Sequence, residues 1–279
     1  MSLKSKLKHF LPRPIKNVLK QTYWFVVDTF DAIGGRDKLT PPKSMIFVGD
    51  GDYKEIGLEF KKYFIDLAEL KPNEKILEVG CGIGRMAVPL TNYISPAGEY
   101  HGFDIVKKGI DWCQKKITSR FPNFHFLHSD IQNDFYNSNG KLQAKNYKFP
   151  FKDNYFDFVF LTSVFTHMLP DDIENYLSEI SRVLKIKGRC LITFFLLNNE
   201  SNYCIQKGIS TQNFNYNAGG YLTIDKNNPE SAVAYNEDLI INLFKKYNLL
   251  ISSSIKYGSW CGRQKFLSYQ DILVAEKSA

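Results

Sequence analysis

Residues 75–84 read Lys-Ile-Leu-Glu-Val-Gly-Cys-Gly-Ile-Gly. Ile76, Leu77 and Val79 predict a buried strand, and Gly80, Gly82 and Gly84 follow it as a loop of alternating glycines. A turn without Cβ atoms lets backbone approach a ligand and adopt positive φ. The next stretch, residues 85–93, reads as helix, so the loop also directs a helix N-terminus at whatever binds there. Strand, glycine loop and helix in this order predict a nucleotide-type cofactor site.

Spacing narrows the cofactor. A dinucleotide fingerprint runs G-x-G-x-x-G, whereas here the third glycine comes one residue early and is followed by Arg85. Glu78, two residues before the first glycine, would repel a pyrophosphate. It suits a cationic head such as the amino group and sulfonium of S-adenosylmethionine (SAM). A tight strand–helix turn with no ligand is the plain alternative for a motif this short. The residues downstream argue against it. Residues 99–105 predict a second strand ending at Asp104, 20 positions after Gly84, where a nucleotide-binding α/β unit places a carboxylate on the ribose hydroxyls. Residues 107–120 carry Ile110, Cys113, Gln114 and Ile117 at helical spacing, and residues 124–130 alternate as a third strand closed by Asp130-Ile131. Each aspartate alone reads equally well as a helix N-cap. Acids in register after three successive strands are harder to dismiss.

The pattern continues in step. Residues 155–162 are aromatic and β-branched, hence a strand, and residues 163–167 form the loop at its end. Residues 171–184 place Ile173, Tyr176, Leu177, Ile180, Val183 and Leu184 on one helix face, with Gly188 as the helix stop. Residues 189–197 form a fifth, apolar strand, residues 237–247 an amphipathic helix, and residues 249–255 and 272–275 two closing strands. Alternating strands and helices predict an α/β fold whose sheet is covered on both faces. The predicted architecture is a Rossmann-like, seven-stranded, mostly parallel sheet with an antiparallel C-terminal hairpin. Ligands bind such sheets at the C-terminal strand ends near the switch in strand order. The glycine loop, Asp104, Asp130 and the 163–167 loop all fall there.

From about Phe47 to Lys277 the chain resembles the bacterial class I SAM-dependent methyltransferases. The matching stretches are Gly49-Asp50-Gly51-Asp52-Tyr53, Leu77 to Met86, Gly102-Phe103-Asp104-Ile105, Ser163-Val164-Phe165-Thr166-His167-Met168 and Arg182-Val183-Leu184-Lys185. Trp260-Cys261-Gly262-Arg263 and Ser268-Tyr269-Gln270-Asp271 point to a subgroup. One departure is Ile186-Lys187-Gly188, where the family usually has Pro-Gly-Gly. The resemblance implies SAM as cofactor and S-adenosylhomocysteine as product. It implies a cofactor site drawn from Tyr53, Glu78, Gly80, Cys81, Gly82, Gly84, Arg85, Asp104, Ile105, Ser163 and Val164. It further implies that Asp130 accepts from the adenine amino group, with Ile131 against the ring.

Composition fits one enzyme-sized domain with additions. Five cysteines show no C-x-x-C pair, which predicts reduced thiols and a cytoplasmic protein. Cys81 reads as a small side chain filling the cofactor loop rather than a nucleophile. Neither H-E-x-x-H nor paired histidines on one strand face occur, so no metal is expected. Residues 1–45 read as a basic amphipathic arm. Residues 1–43 hold nine Lys/Arg and three Asp, net +6 of the chain's +7, with Ile15, Val18, Leu19, Val26, Phe30 and Ile33 at helical intervals. The run Trp24-Phe25-Val26-Val27 is too short to span a bilayer, and no signal-peptide pattern follows. Two readings stand beside each other: a cap helix packed over the active site, and a helix resting on an anionic membrane surface. The charge is confined to the arm and no nucleic-acid motif accompanies it, so nucleic acid is not an expected partner. Oligomeric state stays open.

Residues 46–279 are then the catalytic unit, with a lid-like insertion at 198–236. That insertion is rich in Asn, Ser, Gly and Tyr. A loop of this length is functional or disordered, and its aromatic and amide groups suit a hydroxylated acceptor, a small molecule or a glycan. Methyl transfer from a sulfonium is an in-line displacement that needs alignment and exclusion of water. A hydroxyl acceptor also needs a base. His167, after the fourth strand, is the expected one, with a pocket-lining role as its alternative. Tyr203, Trp260 and Arg263 are expected with it at the acceptor. The leading expectation is O-methylation of a small-molecule or carbohydrate hydroxyl. N- or C-methyl transfer, an NAD-binding oxidoreductase and a non-catalytic SAM-binding module are the alternatives.

Overall fold

The computed structural model describes residues 13–49 and 51–279. Asp50, residues 1–12 and the side chains of residues 13–21, including Ile15, Val18 and Leu19, lie outside the described residues. In chain order the main elements are α1 (Arg13–Ile33), α2 (Tyr53–Asp66), β1 (Lys75–Val79), α3 (Ala87–Leu90), β2 (Glu99–Asp104), α4 (Lys107–Cys113), β3 (Phe124–His128) and β4 (Phe156–Leu161). They continue with α5 (Pro170–Val183), β5 (Leu184–Phe194), β6 (Leu196–Leu197), α6 (Asn199–Gln206), β7 (Tyr216–Asn217), β8 (Tyr221–Thr223), β9 (Val233–Asn236), α7 (Glu237–Lys246), β10 (Leu249–Ile251) and β11 (Asp271–Lys277).

Seven strands form one sheet in the order β10-β11-β5-β4-β1-β2-β3. The five from β5 to β3 are parallel. β11 lies antiparallel to both β5 and β10, the expected antiparallel end. The chain runs outward from β1 through β2 to β3, then crosses to β4 on the other side of β1. A crevice therefore opens above the C-terminal ends of β1 and β4.

The pleat sorts the core. Leu77 and Val79 join one apolar layer with Phe103, Val159 and Ile192. Ile76 faces the other, with Phe64, Phe158 and Phe160. Phe64 is fully buried, its ring 4.2 Å from Phe160 and 5.5 Å from Phe158; truncating such a residue to Ala costs about 3–5 kcal/mol. Asp52 caps the helix that carries Phe64 by accepting from the Lys54 and Glu55 amides. Gly57 lets this helix touch the glycine loop, since a Cβ there would lie 2.5 Å from the Arg85 carbonyl oxygen.

Several boundaries differ from expectation. The helix expected over 85–93 shrinks to Ala87–Leu90 between turns, because Pro89 lacks the N–H that would bond the Arg85 carbonyl. The helix over 107–120 ends in a π-turn, Gln114–Thr118. The fifth strand begins at Leu184 rather than 189. It breaks register against β4 between Phe156 and Phe158, and Gly188 sits inside it instead of stopping a helix. The strand expected over 249–255 closes at Ile251.

The largest difference is the 198–236 insertion. It is not a structureless loop: α6 and strands β7, β8 and β9 occupy it, and these strands join β6 just before it in a second sheet, β6-β9-β8-β7. Phe195, Phe214, Ala234 and Trp260 give it its own apolar core, which is why an Asn- and Ser-rich sequence holds its shape. The arm helix α1 is tied down by Asp28, which accepts from the Lys43 amide at 2.7 Å and meets Arg36 at 3.9 Å. Tyr23, Val26, Phe30 and Ile33 on this helix are exposed. Among the described residues no helix is long and apolar enough to cross a membrane.

Candidate functional site

A cavity opens at the crevice, lined by the ends of β1 and β2 and the loops that follow β1, β2 and β4. β1 delivers its floor. Gly80 takes φ +80° and abuts Val164, whose Cγ2 would lie 2.4 Å from any Cβ at position 80. Only glycine meets both demands. The Gly80 amide donates to the Phe103 carbonyl at 2.9 Å, so the loop is pinned to the end of β2.

Asp104 continues that pinning. One carboxylate oxygen accepts from the Gly82 amide and the other from the Val106 amide, both at 2.7 Å. Each oxygen keeps a second acceptor site. Burial pushes the Asp104 carboxyl up, and the Val106 and Gly82 amides oppose it. Glu78 is 2% exposed and accepts from the Tyr100 hydroxyl. Burial pushes its carboxyl up to about 8. Arg85 donates to the Val48 carbonyl at 2.8 Å, while its buried Nε has no partner. Cys81 is buried, and burial pushes its thiol well up, so it stays protonated.

The far wall comes from β4 and the loop after β3. His167 ends a 3-10 turn, Phe165–His167. Its Nδ1 lies 2.9 Å from the Glu230 carbonyl oxygen. A carbonyl only accepts, so Nδ1 carries the proton of the neutral ring and Nε2 is left as an acceptor. Burial lowers the His167 pKa, against the Glu230 carbonyl, which keeps the ring neutral at pH 7. The ring stacks on Phe135 at 5.9 Å and meets Tyr136 edge-on at 5.3 Å. Asn133 ties this wall together. Its side-chain amide donates to the His167 carbonyl at 3.1 Å and its oxygen accepts from the Tyr136 amide at 2.9 Å.

Eleven of the sequence-predicted residues line the cavity: Glu78, Gly80, Cys81, Gly82, Arg85, Asp104, Ile105, Ile131, Ser163, Val164 and His167. Others do not. Tyr53 lies beneath the loop and donates to the Ile83 carbonyl at 2.9 Å. Gly84 faces α4, where a Cβ would meet Ile117 at 2.8 Å. Asp130 stands off the lining and accepts from the Asn137 side chain at 3.2 Å. The three expected acceptor residues of the periphery also lie off the cavity. Tyr203 is 57% exposed. Trp260 is fully buried, its indole N–H given to Asp271 at 2.8 Å. Arg263 stacks over Tyr257 at 4.5 Å and pairs with Glu200 at 3.3 Å. Apolar packing claims Trp260, Tyr203 points to solvent, and Arg263 is held against Tyr257 and Glu200.

Sequence reading missed Asn133, Tyr136, Asp172 and Glu230, which line the cavity. Asn133 and Tyr136 were within reach, since they follow Asp130-Ile131 directly. Glu230 arrives from the insertion, some 60 positions from His167, and carries no local signal. Among the described residues no cluster of metal-ligating side chains occurs.

The donor set fits a zwitterion with a cationic sulfur. Asp104, Asp172 and Glu230 face one cation, Arg85, along the lining, and Glu78 adds a buried carboxyl that keeps its proton up to about 8. A pyrophosphate would meet repulsion there, whereas an ammonium or sulfonium would not. The unpartnered Arg85 Nε suits a carboxylate.

Comparison with known proteins agrees. Residues 77–192 match a family described as a methyltransferase domain. A ubiquinone/menaquinone biosynthesis C-methyltransferase from Wigglesworthia glossinidia brevipalpis is 29% identical over 173 residues, 58% of this chain and 63% of that protein. The chain thus spans about three fifths of that relative. A crystal structure of a Pyrococcus horikoshii protein superposes with a TM-score of 0.58 at 18% identity, covering 84% of this chain and 95% of the other. A SAM-dependent methyltransferase from Methanosarcina mazei gives 0.51 at 19%, covering 77% and 97%. Sheet order, cavity and family match define a Rossmann-like methyltransferase fold. Over residues 77–192 the chain is similar to methyltransferase domains, and its fold is that of a SAM-dependent methyltransferase of known structure.

Proposed function

We propose that the protein transfers the methyl group of SAM to an oxygen of a small, flat, ring-bearing acceptor, with His167 as the base. The observation that carries the reading is the His167 tautomer. With Nδ1 held by the Glu230 carbonyl, Nε2 is the acceptor beside an aromatic wall. Arg85 would hold the cofactor's carboxylate, Glu78 its cationic head and Asp104 its ribose hydroxyls. When bound, SAM supplies an electrophilic methyl on a sulfonium. His167 takes the hydroxyl proton as the acceptor oxygen becomes nucleophilic, a contribution of about 10²–10⁴-fold for a positioned base. Tyr136, which lines the cavity beside His167, orients the acceptor ring.

A glycan is the less favoured acceptor, because the insertion's tyrosines do not line the cavity and Glu230 is its contact there. Carbon methylation of an electron-rich ring is the second reading. The likeness to a ubiquinone/menaquinone biosynthesis C-methyltransferase favours it, and His167 would again remove a proton. Incubating the protein with SAM labelled with ¹³C at the methyl and a panel of phenols and quinols tests both. The methyl carbon resonance separates O–CH₃ from C–CH₃. S-adenosylhomocysteine formation with the label on nitrogen alone would overturn both.

Residues 46–279 form the catalytic unit in this reading, and 198–236 contributes the wall behind His167. Residues 1–45 form an arm that meets an anionic membrane surface through Tyr23, Val26, Phe30 and Ile33, drawn by its net +6 charge. Co-sedimentation with phosphatidylglycerol vesicles but not phosphatidylcholine vesicles is expected, and Phe30→Glu with Ile33→Glu should abolish it. Equal recovery with both lipids removes the anionic surface from the reading, and recovery with neither removes the membrane.

A further inference from the structure

Ser163 stands where the cavity wall begins, directly after β4, with φ +60°. Among the described non-glycine residues with positive φ it is the one that lines the cavity. A side chain in this region is strained and persists where surrounding bonds impose it.

The bonds form a closed ring. The Ser163 amide donates to Thr193 Oγ1 at 2.7 Å, and Thr193 Oγ1 donates to Gln270 Oε1 at 2.6 Å. Gln270 Nε2 donates back to Ser163 Oγ at 3.0 Å. Thr193 is fully buried at the end of β5. Gln270 immediately precedes β11, and its neighbour Tyr269 accepts from Gln212 of the insertion at 2.7 Å. The next residue after Ser163 is Val164, which abuts Gly80 of the cofactor loop. Three residues further on comes His167. A change in the Ser163 backbone would therefore move both the wall against the glycine loop and the root of the histidine turn.

We propose that Gln270 is a positioning residue of the cofactor site. It holds Ser163 in the left-handed conformation, and through it sets Val164 against the glycine loop. Gln270 itself stands off the cavity lining, so its effect passes through Ser163. The inference rests on the SAM-binding reading given above.

Calorimetric titration of SAM into the full chain tests it with four proteins: wild type, Gln270→Met, Ser163→Gly and the double variant. Methionine keeps the length of glutamine and removes its hydrogen bonds. Gln270→Met is expected to weaken SAM binding about tenfold or more. In the Ser163→Gly background the same change should cost less than about threefold, because glycine holds positive φ without a tether. A purely structural glutamine would produce the same loss in both backgrounds, and that result overturns the inference. So does a loss under threefold in the Gln270→Met single variant. Thr193→Val, which removes the acceptor for the Ser163 amide, repeats the test from the other side of the ring and decides it should Gln270→Met fail to fold. A wild-type chain that takes up no SAM would overturn the cofactor reading and this inference with it. Wild-type binding with unaltered variants overturns the inference alone.

Discussion

The glycine loop and the 198–236 insertion meet the same end of the sheet and treat their polar groups in opposite ways. The loop turns them into the cavity: Glu78, Asp104 and the Arg85 Nε are buried there with acceptor or donor capacity to spare. The insertion spends most of its polar groups within itself and on the scaffold beside it. Asn198 caps α6 by accepting from the Ser201 amide, and Thr223 donates to the Pro229 carbonyl at 2.9 Å. Its link to the chemistry is one 3-10 turn, Pro229–Ser231, whose Glu230 carbonyl orients His167. Buried capacity left open along a cavity lining offers a binding surface; the open Asn228 Oδ1 and Ser231 Oγ of the insertion lie off that lining. The same contrast separates Asp104 from Asp271. Asp104 accepts from two amides and faces the cavity. Asp271 is buried away from it and accepts from Gly258 N, Leu196 N and Trp260 Nε1 at 2.7, 2.7 and 2.8 Å.

The largest expected effect lies at the point where the two regions touch. His167→Ala should lower kcat by about 10²–10⁴-fold and leave the calorimetric SAM affinity within about threefold. The acid limb of the pH–rate profile should go with it. His167 must be neutral to accept, and its lowered pKa keeps activity present below the ordinary histidine value of 6.5. Unchanged turnover would falsify the base assignment.

Next comes the scaffold. Asp271→Ala leaves three buried donors without an acceptor, at about 1–3 kcal/mol each. Denaturant unfolding should show a loss of about 3 kcal/mol or more; a loss below about 1 would blur the contrast with Asp104. Asp104→Asn, by comparison, should weaken SAM binding about tenfold, because one acceptor oxygen and the negative charge of this carboxylate are lost. An affinity within twofold of wild type would remove Asp104 from the ribose.

Glu78 joins binding and stability with opposite signs. Its carboxyl keeps its proton in the folded chain up to about 8, against an ordinary 4.5. The folded chain therefore binds more protons than the unfolded one across that window, and stability from this group falls as pH rises through it. Glu78→Gln should raise the melting temperature by a few degrees at pH 9, by less at pH 5, and weaken SAM at both. An equal shift at the two pH values would contradict the burial argument. The smallest effect belongs to the insertion's surface: Tyr203→Ala, at an exposed position, should stay within about 0.5 kcal/mol in stability and twofold in kcat/KM.

Much of the cofactor side was legible because its signals are local. A buried apolar strand, three glycines and an acid at the end of the next strand all lie within thirty residues. Runs of apolar, aromatic and β-branched residues likewise carried the sheet. The acceptor side was not legible in the same way. Tyr203, Trp260 and Arg263 have the chemistry of ligand contacts, but whether an indole meets a ligand or Phe195 at 5.3 Å depends on packing across 65 residues of chain. The Asn-rich composition of 198–236 suggested an open lid, and one buried cluster from Phe195 to Trp260 closed it into a sheet.

By itself the sequence determined the sheet, the cofactor loop and the two acids that flank it, because hydrophobic periodicity, glycine conformation and strand-end position act over short stretches. Tertiary structure alone decided which nitrogen of His167 is free, since that depends on a carbonyl 63 residues away. It alone decided that Asp130 faces Asn137 while Glu230 enters the cavity. A hydrogen bond between distant segments has no periodicity to read, and it exists only once the sheet has brought the two together.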